Sequence, residues 1–159
     1  MAISNEPDYP PLLPVGFHEM SLSDLRKLCV VPFSASSTRA QIMTGLEQVL
    51  AEMQRVGIEA DVWINGSFLT VKDDPEDSDI VLCVDSDFAD KCTPPQEAVL
   101  NWIAGNLKTG LLCDSYVFCR YPEGHPDFWV GEWMYAYWLR QFGFSRQDGP
   151  KGLALIKAK

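Results

Sequence analysis

The sequence predicts an α/β (α+β) chain with a small mixed sheet flanked by helices. Three observations carry this. Short apolar runs at 62–64, 80–84, 116–119 and 153–156 have the length and composition of strands. Other segments repeat apolar residues at spacings of three and four, the period of an amphipathic helix. The two kinds alternate along the chain, as they do where helices pack on a sheet. With 159 residues, 47% of them hydrophobic, the chain is long enough for one core and too short for two. It divides into a Pro-rich lead-in, 1–20, and a single domain, 21–159.

The elements follow in order. Ser21-x-x-Asp24 is a helix start for 21–29, and Pro32 stops anything helical. Thr38-x-x-Gln41 has the capping-box pattern. After it Ile42, Leu46, Val49, Leu50, Met53 and Val56 mark a helix over 38–56, which Gly57 ends. The strand at 62–64 runs into Asn65-Gly66-Ser67, and Pro75 marks a loop before the strand at 80–84. Pro94 and Pro95 open a helix that extends to Lys108, with Val99, Trp102, Ile103 and Leu107 on one face and Gly110 as its stop. The strand at 116–119 leads into a loop, and an aromatic helix follows over 128–142. Asp148-Gly149-Pro150 makes a turn before the last strand.

Charge narrows the function. The net charge is −9, from 22 acids against 13 bases, which excludes a broad basic platform for nucleic acid. Eight acids fall between Asp73 and Asp90 with no Lys or Arg among them. The stretch 120–159 is the one long segment that tips basic, with six bases and four acids. No apolar run reaches the ~18 residues of a membrane helix, and the first 14 residues lack the basic and apolar regions of a signal peptide. Five cysteines without a C-x-x-C pair read as reduced thiols of a cytoplasmic protein. Two histidines, His18 and His125, make a Cys/His zinc site a poor fit, and Cys119 with His125 lacks the third group that would orient a thiol nucleophile.

Within the acidic stretch, Asp77-Ser78-Asp79 stands directly before an apolar strand. In extended chain, residues i and i+2 point to one side, so the two carboxylates share a target. Side by side they repel unless a cation lies between them, and Mg²⁺ with its oxygen ligands suits that role. An EF-hand starting at Asp73 fails, because its sixth position is Ser78 and its twelfth Val84. Asp73, Asp74 and Glu76 read instead as a solvated acidic turn, and Asp85 and Asp87 lie beyond the far end of the strand. Upstream, Gly66-Ser67 could let a phosphate approach backbone amides and a hydroxyl, although Gly-Ser turns are common.

Taken together, Ile64-Asn65-Gly66-Ser67, nine intervening residues and Asp77-Ser78-Asp79-Ile80-Val81-Leu82 resemble the signature of the polymerase-beta-like nucleotidyltransferase superfamily. Asn65 before the glycine departs from it. Phe142-Gly143-Phe144-Ser145-Arg146 and Pro150-Lys151-Gly152 look like a C-terminal segment of a small bacterial group within that superfamily. The resemblance covers about Leu13 to Ile156 and implies a minimal nucleotidyltransferase fold. It implies that Asp77 and Asp79, with Asp114 as the third carboxylate, hold two Mg²⁺ and an NTP such as ATP. Asp114 would also orient or deprotonate an attacking hydroxyl. Gly66 and Ser67 would hold the β- and γ-phosphates.

A nucleoside monophosphate would then pass to a protein, an RNA end such as that of a tRNA, or a small molecule. The resemblance also implies a place in a toxin–antitoxin or defence system. The alternative is a non-catalytic relative that binds nucleotide or a protein partner. Such a site needs positive charge, and Lys72, Arg39, Lys108, Arg146 and Lys151 are the candidates, Lys151 first because Gly149-Pro150-Lys151-Gly152 restrains its backbone. Trp129, Trp133 and Tyr137 repeat every four residues on the last helix; core packing is the expected use, base stacking or a partner surface the other.

Overall fold

The computed structural model describes residues 7–159; residues 1–6 of the lead-in lie outside it. Five strands form one mixed sheet in the order β1-β5-β2-β3-β4. They are β1 (Gly16–Glu19), β2 (Ala60–Asn65), β3 (Ser78–Asp85), β4 (Cys113–Arg120) and β5 (Gly152–Ala158). β1 runs parallel to β5 and β3 parallel to β4, while β2 is antiparallel to both of its neighbours. An α+β fold with a mixed sheet is therefore what the chain adopts. The four strands expected from the sequence are all present and longer than their apolar centres, because polar residues at both ends complete the ladders. β1, inside the lead-in, carries no apolar run and was not expected.

Side chains alternate across the sheet and build two layers. Val62, Ile64, Ile80, Leu82, Val84, Ala154 and Ile156 face the larger core, with α1 (Leu22–Cys29), α2 (Arg39–Val56) and α4 (Pro94–Ala104) over it. Trp63, Val81, Cys83, Phe118 and Leu153 face the other way, against Trp138 and Phe142 of α6 (Phe128–Phe142). Two short helices, α3 (Ser86–Asp90) and α5 (Lys108–Leu111), lie in the crossover between β3 and β4. α2 approaches α5 so closely that a Cβ at position 45 would stand 1.9 Å from the Leu111 carbonyl oxygen, and Gly45 removes that clash. No described helix is long and apolar enough to cross a membrane.

The helix ends differ from expectation at two places. The Ser21 capping box forms, with the Ser21 hydroxyl accepting from the Asp24 amide at 3.1 Å. The Thr38–Gln41 box does not: Thr38 is already helical and its buried Oγ1 has no partner among the described residues. Ser36 Oγ accepts from the Thr38 and Arg39 amides instead, and Asp74 Oδ1 accepts from the Ser37 amide at 2.7 Å. The helix expected to reach Lys108 ends at Ala104, because Gly105 caps it and Asn106 turns left-handed, with φ 68°.

Candidate functional site

One end of the sheet gathers the end of β2 and the beginnings of β3, β4 and β5. Gly66 follows β2, Asp77 precedes β3, Lys151 precedes β5, and Asp114 is the second residue of β4. Asn65 pairs with Asp79, and Asp79 pairs with Asp114, so three polar residues stand abreast on three adjacent strands. Paired residues point to the same face. That face is the α6 side, where the smaller layer leaves the sheet end uncovered. A cleft of about 350 Å³ opens there. All seven residues expected from the sequence line it: Gly66, Ser67, Lys72, Asp77, Asp79, Asp114 and Lys151. Asp114 lies inside the strand rather than at the turn before it.

Each carboxylate has a distinct setting. Asp79 is pushed up to about 7, first by burial, then by the negative charges of Asp77 and Asp114. Asp77 pairs with Lys108 Nζ at 3.1 Å. Asp114 Oδ1 accepts from Asn106 Nδ2 at 2.5 Å. The hydrogen bond and charge of Asp77 push the Lys108 ammonium above its ordinary range. Lys151 is pushed down by burial, with Asp79 and Asp8 opposing. Its backbone amide donates a hydrogen bond to the Gly143 carbonyl at 2.8 Å.

Gly66 is required where it stands. Its φ is 89°, and a Cβ there would meet Asp79 Oδ2 at 2.5 Å. The backbone after β2 thus lies against the carboxylate it faces, as a turn must if a bound group is to touch both. Asn65, the departure from the nucleotidyltransferase signature that the sequence resembles, has a structural use: its side-chain amide donates to the Phe142 and Gly152 carbonyls and ties the ends of α6 and β5 to β2.

Arg39 corrects the sequence reading. It is fully buried inside the fold and donates to the carbonyls of Cys29, Phe68, Thr70 and Lys72, so no side-chain donor is left for a phosphate. Five bonds to four backbone carbonyls and the Phe33 ring 3.7 Å from its Cζ explain why an arginine can lie there. Lys108 and Arg146 do line the cleft.

Sequence reasoning missed four contributors. Asn106 holds Asp114, and the Gly105-Asn106 helix end was its only signal. Tyr116 is pushed up to about 12 by burial and then by its hydrogen bond to Asp114. Asp8 and Tyr9 line the cleft from the lead-in, where the Ser145 hydroxyl donates to Asp8 and Lys72 lies over the Tyr9 ring. Nothing local in the sequence marks these long-range contacts.

The donor set is three carboxylates and the Ser67 hydroxyl, all hard oxygen, which suits Mg²⁺ rather than a softer metal. Among the described residues no three His, Cys, Asp or Glu side chains form a ready metal group. Lys108 and Asn106 engage two of the three carboxylates, as expected where three negative groups share a cleft. Asp73 and Glu76 are exposed, and Asp74 is occupied at the start of α2. Asp85 lines a different cleft, of about 480 Å³, at the opposite end of the same face. The cysteines are all free; burial pushes the Cys29 and Cys83 thiols up to about 12, and the His125 ring accepts from the Asp127 amide.

A family model matches residues 6–157, that of the family of unknown function DUF6932. The chain belongs to that family. No curated protein and no solved structure matches it.

Proposed function

We propose that the protein is a Mg²⁺-dependent nucleotidyltransferase, moving a nucleoside monophosphate from an NTP to a protein, RNA-end or small-molecule acceptor. The observation that carries this is the row Asn65–Asp79–Asp114 across three strands, with Asp77 beside it and Gly66 packed on the Asp79 carboxylate. Asp77 and Asp79 would hold the metal with the triphosphate, and Asp114 would complete the set. Bound there, Mg²⁺ supplies charge stabilisation for the attacking and leaving oxygens of an in-line displacement. Gly66 and Ser67 would meet the β- and γ-phosphates, and Lys151, Lys72, Lys108 and Arg146 would offset their charge. The acceptor hydroxyl gives its proton to the Asp114 carboxylate, its oxygen bonds to the α-phosphorus, and the bond to pyrophosphate breaks. A cytoplasmic location fits the reduced thiols. The acidic surface favours an acceptor that needs little phosphate contact.

The test is incubation with labelled NTPs, Mg²⁺ and cell lysate. Label transfer that Asp77→Asn with Asp79→Asn abolishes supports the reading. Absence of transfer, with NTP binding unchanged in the double variant, removes the metal assignment. The second reading is a binder without turnover, which the Asp77–Lys108 ion pair favours. It predicts NTP binding that needs Asp79 but no transfer in any lysate.

A further inference from the structure

The outer face of α6 is apolar and uncovered, against the expectation of core packing. Trp129 is 68% exposed, Trp133 72% and Tyr137 51%, with Val130 beside them at 51%. The inner face of the same helix is fully used. Tyr135 packs edge-on against Trp63, Trp138 lies on Tyr116, and Gly131 lets the helix approach the Cys119 carbonyl. The three outer aromatics therefore add little to the chain's own core.

Their arrangement says what they suit. A repeat of four residues forms one continuous ridge, and such ridges interdigitate when two helices cross. The ridge is also symmetric about Trp133, with Trp129 four residues before it and Tyr137 four after. An antiparallel two-fold axis at Trp133 would set that residue against its own copy and Trp129 against Tyr137. The only charged residues of α6 are Glu132 and Arg140, and each is paired within the chain, with Arg120 and Asp148. The helix thus brings no unpaired charge to the contact, which is the composition of an interface core. The same fact, with the net charge of −9, argues against a nucleic-acid strand stacked along it.

The area is adequate. At roughly 150–250 Å² for each aromatic side chain, the exposed fractions leave about 300–500 Å² of aromatic surface per copy. That is about half of the ~800 Å² each partner gives to a standard interface, and polar surroundings supply the rim.

We propose that the Trp129–Trp133–Tyr137 ridge is a two-fold interface between copies of this chain. Gln141, four residues beyond Tyr137 on α6, lines the cleft, so the ridge and the cleft lie along one helix.

Sedimentation and light scattering of the full chain across micromolar concentrations test this. The expected result is a mass approaching two chains, with association strengthened by added salt because both copies are acidic. Trp133→Asp should give a monomer with an unchanged far-ultraviolet circular dichroism spectrum, since the residue is 72% exposed. A short bis-maleimide should link Trp133→Cys to itself well above the wild-type background. It should not link Trp129→Cys alone, and should link Trp129→Cys to Tyr137→Cys when the two are mixed. A wild-type monomer at every concentration overturns the proposal. So does a dimer that survives Trp133→Asp, or a Trp129→Cys variant that links to itself as well as Trp133→Cys does.

Discussion

Asp79 carries a conflict between stability and the chemistry proposed for the cleft. Its carboxyl titrates near 7 in the folded chain, because it is buried and faces two other carboxylates. In the unfolded chain an Asp titrates near 3.9. Below about pH 4 the group is protonated in both states and has no effect on stability. Between about pH 4 and 7 the unfolded chain releases this proton while the folded chain keeps it, so stability falls across that window and levels off above 7. Three units of difference correspond to at most about 4 kcal/mol at pH 8. Asp79→Asn keeps the shape and removes the charge. It should therefore raise the apo protein's stability at pH 8, by about 2–4 kcal/mol in urea unfolding, with the gain closing by pH 4. A variant less stable than wild type at pH 8 would show that the carboxylate is well solvated or paired there. Millimolar Mg²⁺ should narrow the gap by stabilising the wild type alone.

At the scale of elements, α2 shows how a sound sequence signal is displaced by tertiary contact. Thr38-x-x-Gln41 has the right residues for a capping box, yet Asp74, more than thirty positions away, binds the Ser36–Ser37 turn and starts the helix itself. Asp74→Ala should consequently lower the melting temperature, and Thr38→Ala should do so far less, since the Thr38 hydroxyl caps nothing. Equal losses in the two variants would restore the local box. The Asp74 carboxylate lies below its ordinary range because it accepts from the Ser37 amide and then the Ser36 hydroxyl. The loss should accordingly fade in acid, where the carboxyl is protonated and accepts poorly.

What could be read from the sequence, and what could not, follows the same division. Strong periodicity located α2 and α6, and unbroken apolar runs located β2, β3, β4 and β5, because a single face or a buried strand writes its period directly into the chain. All three carboxylates reach one cleft for a similarly local reason: each sits at the start of a strand, and strand starts meet at one sheet end. β1 stayed hidden because an edge strand can pair through its backbone alone, with Gly16 and Glu19 exposed. The outward ridge of α6 stayed hidden because an apolar stripe marks a face without saying what covers it. Asp8, Tyr9 and Asn106 were missed because each acts through a partner brought close only by the fold.

Arg39 joins these scales across the whole molecule. It starts α2, lies inside the larger layer, and holds the backbone of the 68–72 segment through the carbonyls of Phe68, Thr70 and Lys72. The same segment secures the lead-in, where the Val71 amide bonds the Pro10 carbonyl and the Leu12 amide bonds that of Leu69. One buried guanidinium thus links α1's end, α2, the turn after Gly66 and the strap carrying Asp8 and Tyr9. Burial pushes its pKa down, yet the charge persists because the fork of donors finds carbonyls on every side. An ammonium cannot span them: Lys offers three donors at one point, against the planar spread that reaches four residues here. Arg39→Lys should therefore cost about 3–5 kcal/mol in urea unfolding, the range for a broken buried charge network. Proteolysis should become faster near residues 9–12, where the strap loses its anchor, before the sheet itself opens. A loss under about 1 kcal/mol, with the strap still protected, would mean that the carbonyls hold one another in place without the arginine.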